Sequence, residues 1–262
     1  MASKQRNNSV YPIKAATFAS RVDKFFFSDS YGLANWKGLL KKNPTRADLR
    51  NSGLYEDVFD QGNIESSIGI SLVNGCLEYE FRNSRKGSTS LSPLYVYRRD
   101  RQSIFSDPRQ TTTGFIQAIH VLKSSGCSPL SLDEHSYQNF SRYPLVEVDN
   151  LAAIYRIKKA FKVSGLHQVK HCLASGHPLA TMLKIHSNVF DVFVYRTGEI
   201  PLPQPEDTLL GHHAVTLVGY DDSLGSFIVR NSWSKSWGEY GYGYLPYNVF
   251  KKIAVESYTL RI

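Results

Sequence analysis

The chain has 262 residues, 42% of them hydrophobic and 21% charged, with a formal charge of +8 and a pI near 9.3. That balance excludes a disordered or low-complexity polypeptide and leaves room for one large domain or two modest lobes sharing an interface. The charge favours acidic partners, but the clusters at Lys41-Lys42, Arg82 to Lys86, Arg98 to Arg101 and Lys158 to Lys162 carry no basic-aromatic repeat, so nucleic acid is not an expected partner.

Residues 1–42 are basic and polar, with an aromatic patch at Phe25-Phe26-Phe27, and read as an N-terminal extension to a domain spanning 43–262. No apolar segment follows the first basic residues and no run is long enough to span a bilayer, so neither a signal peptide nor a membrane partner is expected. A glycine turn, Asp60-Gln61-Gly62-Asn63-Ile64-Glu65, leads into a helix from about Ser66 to Asn83, marked by Ile68, Leu72, Cys76, Leu77 and Phe81. Ser92 to Tyr97 opens a second helix or a short strand. Gly114 to Lys123, preceded by Thr111 to Thr113, puts Phe115, Ile119 and Leu122 on one helical face, and Leu130 to Val148 is loop-like. Residues 60–149 therefore read as a helical lobe.

From about residue 150 to 250 the pattern turns to strands, an antiparallel, barrel-like lobe in an α+β whole. Strands are expected at Ala153 to Ile157, Leu179 to Ile185, Gly198 to Pro201, Ala214 to Tyr220, Ser226 to Val229 and Tyr240 to Leu245, with a short helix from Leu166 to Ser175. The three cysteines, Cys76, Cys127 and Cys172, form neither a disulfide framework nor a metal site by count and spacing, which fits a reducing, cytoplasmic setting. The adjacent His212 and His213 point to opposite faces of a strand and do not share an ion, so neither metal nor cofactor is expected. Abundant tyrosine (16 residues) is a mild sign of contact surfaces.

The stretch Gln61 to Ser67, the string Gly211-His212-His213-Ala214-Val215, the Gly-Tyr-Asp-Asp turn at 219–222 and Arg230-Asn231-Ser232-Trp233 together resemble the papain/cathepsin family of cysteine peptidases. The resemblance implies a two-lobed fold with a cleft between the lobes. It also implies Gln61 as the oxyanion donor, His213 as the base, Asn231 as its orienting group and Trp233 as a shield over that contact. His213 falls 146 residues after position 67, within the family's range of roughly 130–150.

Where the resemblance places a cysteine nucleophile, this chain has Ser67. An alcohol stays protonated at neutral pH and cannot form the stored thiolate that a helix start and an imidazolium provide. Glu65 replaces a glycine and brings a carboxylate to a place where an oxyanion would develop. His212 stands where a small residue is usual, and Ser234 follows Trp233 where a glycine is expected. An engineered Cys→Ser change would leave Glu65, His212 and Ser234 unexplained. Two readings stand: an inactive homologue kept for binding, assembly or a structural role, or a hydrolase using Ser67. The partner expected in either case is a protein or peptide in the cleft, or a second copy.

Overall fold

The computed structural model describes residues 42–87, 89–104, 114–134 and 146–262. The basic extension up to Lys41, the threonines at 111–113 and most of the expected loop after Leu130 lie outside the described residues.

The centre is a seven-stranded antiparallel sheet: β1 (Arg46–Asp48), β2 (Lys159–Lys162), β3 (Leu179–His186), β4 (Leu209–Asp221), β5 (Ser226–Arg230), β6 (Tyr242–Pro246) and β7 (Ala254–Arg261). The order is β2-β7-β3-β4-β5-β6, with β1 pairing the far end of β4. Period-two alternation divides the two cores. On β3, Ala180 and Met182 join the cluster that holds Ile68, Leu72, Leu77, Phe115 and Leu122, whereas Leu179, Leu183 and Ile185 join the one that holds Val169, Leu173, Val249 and Phe250.

Helix α1 runs from Ser67 to Asn83 as an α turn, Ser67–Ile70, a π segment, Ser71–Leu77, and a closing α stretch, Glu78–Asn83. Every residue from Ser66 to Phe81 is buried, so α1 is enclosed on all sides rather than lying on a surface with one apolar stripe. Each of the fully buried Leu72, Val73 and Leu77 contributes roughly 1.5–3 kcal/mol by leaving water. Glu78 Oε1 accepts from Asn74 Nδ2 and Leu91 N, both at 2.7 Å.

A glycine inside this helix is required by its neighbour. A Cβ on Gly75 would lie 1.9 Å from Thr216 Oγ1. The Thr216 hydroxyl donates to Ser71 O at 3.3 Å, and Ser71 Oγ donates to Val215 O at 2.7 Å. A side chain inserted into a helix's carbonyl ladder is a known cause of local unwinding, and the π segment begins at Ser71.

Beside α1 lie α2 (Pro93–Ile104) and α3 (Phe115–Ser124), followed by α4 (Val146–Ala152). The open choice at Ser92 to Tyr97 resolves as helix. Helix α5 (Leu166–Ala174), α6 (Val192–Thr197) and α7 (Tyr247–Ile253) serve the strand-rich half. Ala153 to Ile157 is a correction: Ala153–Tyr155 forms a 3-10 turn continuing α4, with Ile154 exposed while Tyr155 and Ile157 pack on the core around α1. Gly198 to Pro201 is no ladder strand; it makes a single bridge, Glu199 to Tyr244.

Candidate active site

The turn before α1 is held against the segment after β5. Asp60 bridges to Trp233, Gln61 N donates to Ser232 O at 2.9 Å, and Ser232 Oγ donates to Gln61 Oε1 at 2.6 Å. The Gln61 amide is thereby fixed in orientation. One Nε2 proton goes to Ile64 O at 3.2 Å, and the geometry of an amide leaves a second proton for another acceptor. Arg230, buried at the end of β5, donates to Tyr242 Oη and to Asp57 O, fastening the approach to the turn.

Ser67 begins α1, so its N–H has no carbonyl a turn earlier to receive it. The Ser67 side chain is buried, and its Oγ accepts from Ala214 N at 3.3 Å. That bond joins the start of α1 to the residue after His213, and so brings the two sequence-distant halves of the constellation to one place.

His213 Nε2 lies 2.8 Å from Asn231 Oδ1. The same oxygen accepts from Ser232 N at 2.8 Å. A backbone N–H only donates, so the atom facing it is the amide oxygen, and His213 carries its proton on Nε2. Nδ1 is then a bare acceptor. Burial lowers the His213 pKa to about 4, with the Asn231 bond pulling in the opposite direction. The imidazole is neutral at neutral pH. Trp233 lies over it with ring centroids 4.8 Å apart, and is itself flanked by Phe190 and by the buried Trp237.

His212 and His213 sit opposite Lys184 and Leu183 respectively across the β3–β4 ladder, which puts them on opposite faces. Burial, then the Lys184 charge, lowers the His212 pKa. Among the described residues no three His, Cys, Asp or Glu groups are placed to hold a metal ion. Glu65 is half-buried, and burial raises its carboxyl pKa.

The two glycine replacements differ in kind. Ser234 has φ 69°, the left-handed region where glycine is at ease, while Glu65 is not among the described non-glycine residues with positive φ. Serine at 234 therefore keeps a glycine's backbone, while glutamate at 65 alters only what the side chain presents.

Gln61, Ser67, His213, Asn231 and Trp233 are thus gathered at one place, with Glu65 two residues before Ser67 and His212 on the reverse face of β4. Sequence reasoning missed Ser232, which clamps Gln61, and Phe190, which extends the aromatic cover. Ser232 was visible only as one letter inside Arg-Asn-Ser-Trp. Phe190 lies in a stretch with no motif.

Residues 43–261 match the model of the papain family cysteine protease. A cathepsin L-like proteinase of Fasciola hepatica is 28% identical over 76% of this chain and 59% of its own length. An uncharacterized peptidase C1-like protein of Acanthamoeba polyphaga mimivirus is 23% identical over 72% of this chain and 63% of its own. The chain thus spans about three fifths of these relatives' length. The crystal structure of xylellain, a cysteine protease from Xylella fastidiosa, superposes with a TM-score of 0.81 over 100% of this chain and 99% of that one, at 24% identity, a likeness of fold.

Proposed function

Because the chain belongs to the papain family of cysteine proteases, we propose that it keeps the family's frame without its thiol chemistry and acts by holding a polypeptide at the former catalytic face. One observation carries this: the nucleophile position is the hydroxyl of Ser67, with a lone pair engaged by Ala214 N–H, beside an imidazole that burial keeps uncharged. No ion pair stores a nucleophile there. Glu65 adds a half-buried carboxyl two residues before Ser67, a charge that opposes an oxyanion developing nearby. The retained Gln61, Asn231 and Ser232 are explained without catalysis, since stripping a buried polar group of its partner costs about 1–3 kcal/mol. The three free, buried cysteines fit a reducing compartment. No described helix is long and apolar enough to cross a membrane.

A second reading is favoured by the tautomer. A neutral imidazole with a bare Nδ1, its other nitrogen held by Asn231, is the resting state of a general base, and Ser-His-Asn would then act as an acyl-transfer triad. A fluorophosphonate probe separates the two. Absence of labelling supports the non-catalytic protein; labelling that vanishes in Ser67→Ala overturns it in favour of a serine hydrolase.

A further inference from the structure

A cavity of about 590 Å³ opens immediately beside the Gln61 turn. Its apolar lining is Phe59 and Leu130, hydroxyls come from Thr89, Ser90 and Ser131, and carboxylates come from Asp60 and Glu134. Among the described residues no lysine or arginine lines it. The volume lies within the range of small-ligand sites, roughly 300–1,000 Å³.

Most of the neighbouring acids are already engaged, which singles out Asp60. From residue 51 to 81 the sequence holds six acidic residues and no Lys or Arg. Glu78 and Glu80 are buried within α1. Glu56 is engaged by Arg82 at 2.6 Å and accepts from Ser90 Oγ at 2.7 Å. Asp57 pairs with Lys235 at 2.6 Å. Asp60 donates nothing and accepts Gly62 N–H at 2.9 Å through Oδ1, which leaves Oδ2 for a ligand.

We propose that this cavity receives a basic side chain, guanidinium or ammonium, of a polypeptide held against the Ser67 face. An aromatic and an aliphatic wall suit the methylene stem, and carboxylates with hydroxyls suit the charged head. The polypeptide is favoured over a free cation because Asp60 belongs to both places: it lines the cavity, and its backbone bridges to Trp233 over the imidazole. Asp60 thus ties the cavity directly to the segment that carries the imidazole's cover. This inference rests on the polypeptide-holding function proposed above.

The test is calorimetric binding to the full chain, so it does not depend on turnover at Ser67. Nα-acetylarginine amide and its neutral isostere, Nα-acetylcitrulline amide, are compared first. An extended peptide carrying one arginine is then compared with the same peptide carrying citrulline. The expected result is roughly three- to fivefold preference for arginine in both pairs, the scale of an exposed charge contact, with the peptide binding more tightly than the amide. Asp60→Asn keeps the acceptor for Gly62 N–H. Combined with Glu134→Gln it should erase the preference while the thermal midpoint stays within a few degrees. Equal binding of arginine and citrulline, or a preference that survives both substitutions, overturns the cation site. Amide and peptide binding equally well overturns the polypeptide as its source. A fluorophosphonate-reactive Ser67 with an intact arginine preference would sink the proposed function alone.

Discussion

The two halves of the constellation have kept different amounts of the family's chemistry. On the strand side, His213, Asn231 and Trp233 retain residue identity and geometry, with a 2.8 Å bond and an aromatic cover. On the turn side, Gln61 is held in place, yet Ser67 and Glu65 depart. The strand-side residues sit at or beside sheet positions whose pairing the fold itself requires: Leu183 opposite His213, and Thr216 opposite Arg230 just before Asn231. Changing them exposes buried polar groups or disturbs register. Ser67 Oγ makes one such contact, accepting from Ala214 N at 3.3 Å, but that contact asks only for an acceptor atom and not for a thiolate. On the proposed function, packing constrains the strand side more tightly than the turn side.

That contrast can be broken first at the nucleophile. Ser67→Cys combined with Glu65→Gly should raise peptide hydrolysis by at least about 10²-fold over the unmodified chain, followed with a fluorogenic peptide. A flat result would mean that the strand side has decayed as well. Next in size is Gly75→Ala, whose methyl collides with Thr216. It should lower unfolding free energy by about 3 kcal/mol or more in denaturant titrations, and Thr216→Ala should recover part of that loss.

The pH response probes the imidazole. Its pKa is about 4 in the fold against 6.5 for the unperturbed group, so between those values the unfolded chain binds a proton that the native one does not. Stability should fall by about 3 kcal/mol as pH drops from 6.5 to 4, and be fully present above 6.5. Glu65 and Glu78, whose carboxyls burial raises, act in the opposite sense. The His213 share is therefore the part that disappears in His213→Gln, compared by thermal melts across pH.

Asn231→Ala should cost about 1–3 kcal/mol by leaving Nε2–H buried without an acceptor, read from the same titrations. The smallest change is Ser234→Gly. Relief of φ 69° should stabilise by about 0.5–1 kcal/mol, less whatever is lost with the Ser234 Oγ bonds to Ser236.

How far the fold could be read from sequence followed the same division. The strings around His213 and Asn231 lie on β4 and just past β5, where local pattern, turn chemistry and motif agree. β2 and β7 went unread because Lys159 and Lys162, and Glu256 and Ser257, interrupt the apolar alternation; pairing with distant partners, β2 with β7 and β7 with β3, makes strands of them. The π segment was invisible, since it arises from Thr216, a residue 145 positions from Ser71. Ala153 to Ile157 misled because Ile154, Tyr155 and Ile157 imitate a strand, whereas the preceding α4 simply tightens. At the site, identities were legible and atoms were not: nothing in the letters indicated which oxygen Ser232 would hold or which nitrogen of His213 would carry the proton.

The paired bonds between Ser71 and the Val215–Thr216 backbone and hydroxyl have a mechanical consequence. They lie one helical turn behind Ser67 and two residues beyond His213, so they act as a rivet through the seam on which both depend. A motion that parts the helical side from the sheet must pivot about that rivet, swinging the outer rims widely while the spacing of residues 67 and 213 scarcely alters. Opening of the rims and the spacing of residues 67 and 213 are thereby mechanically independent, which is what the proposed holding of a polypeptide requires.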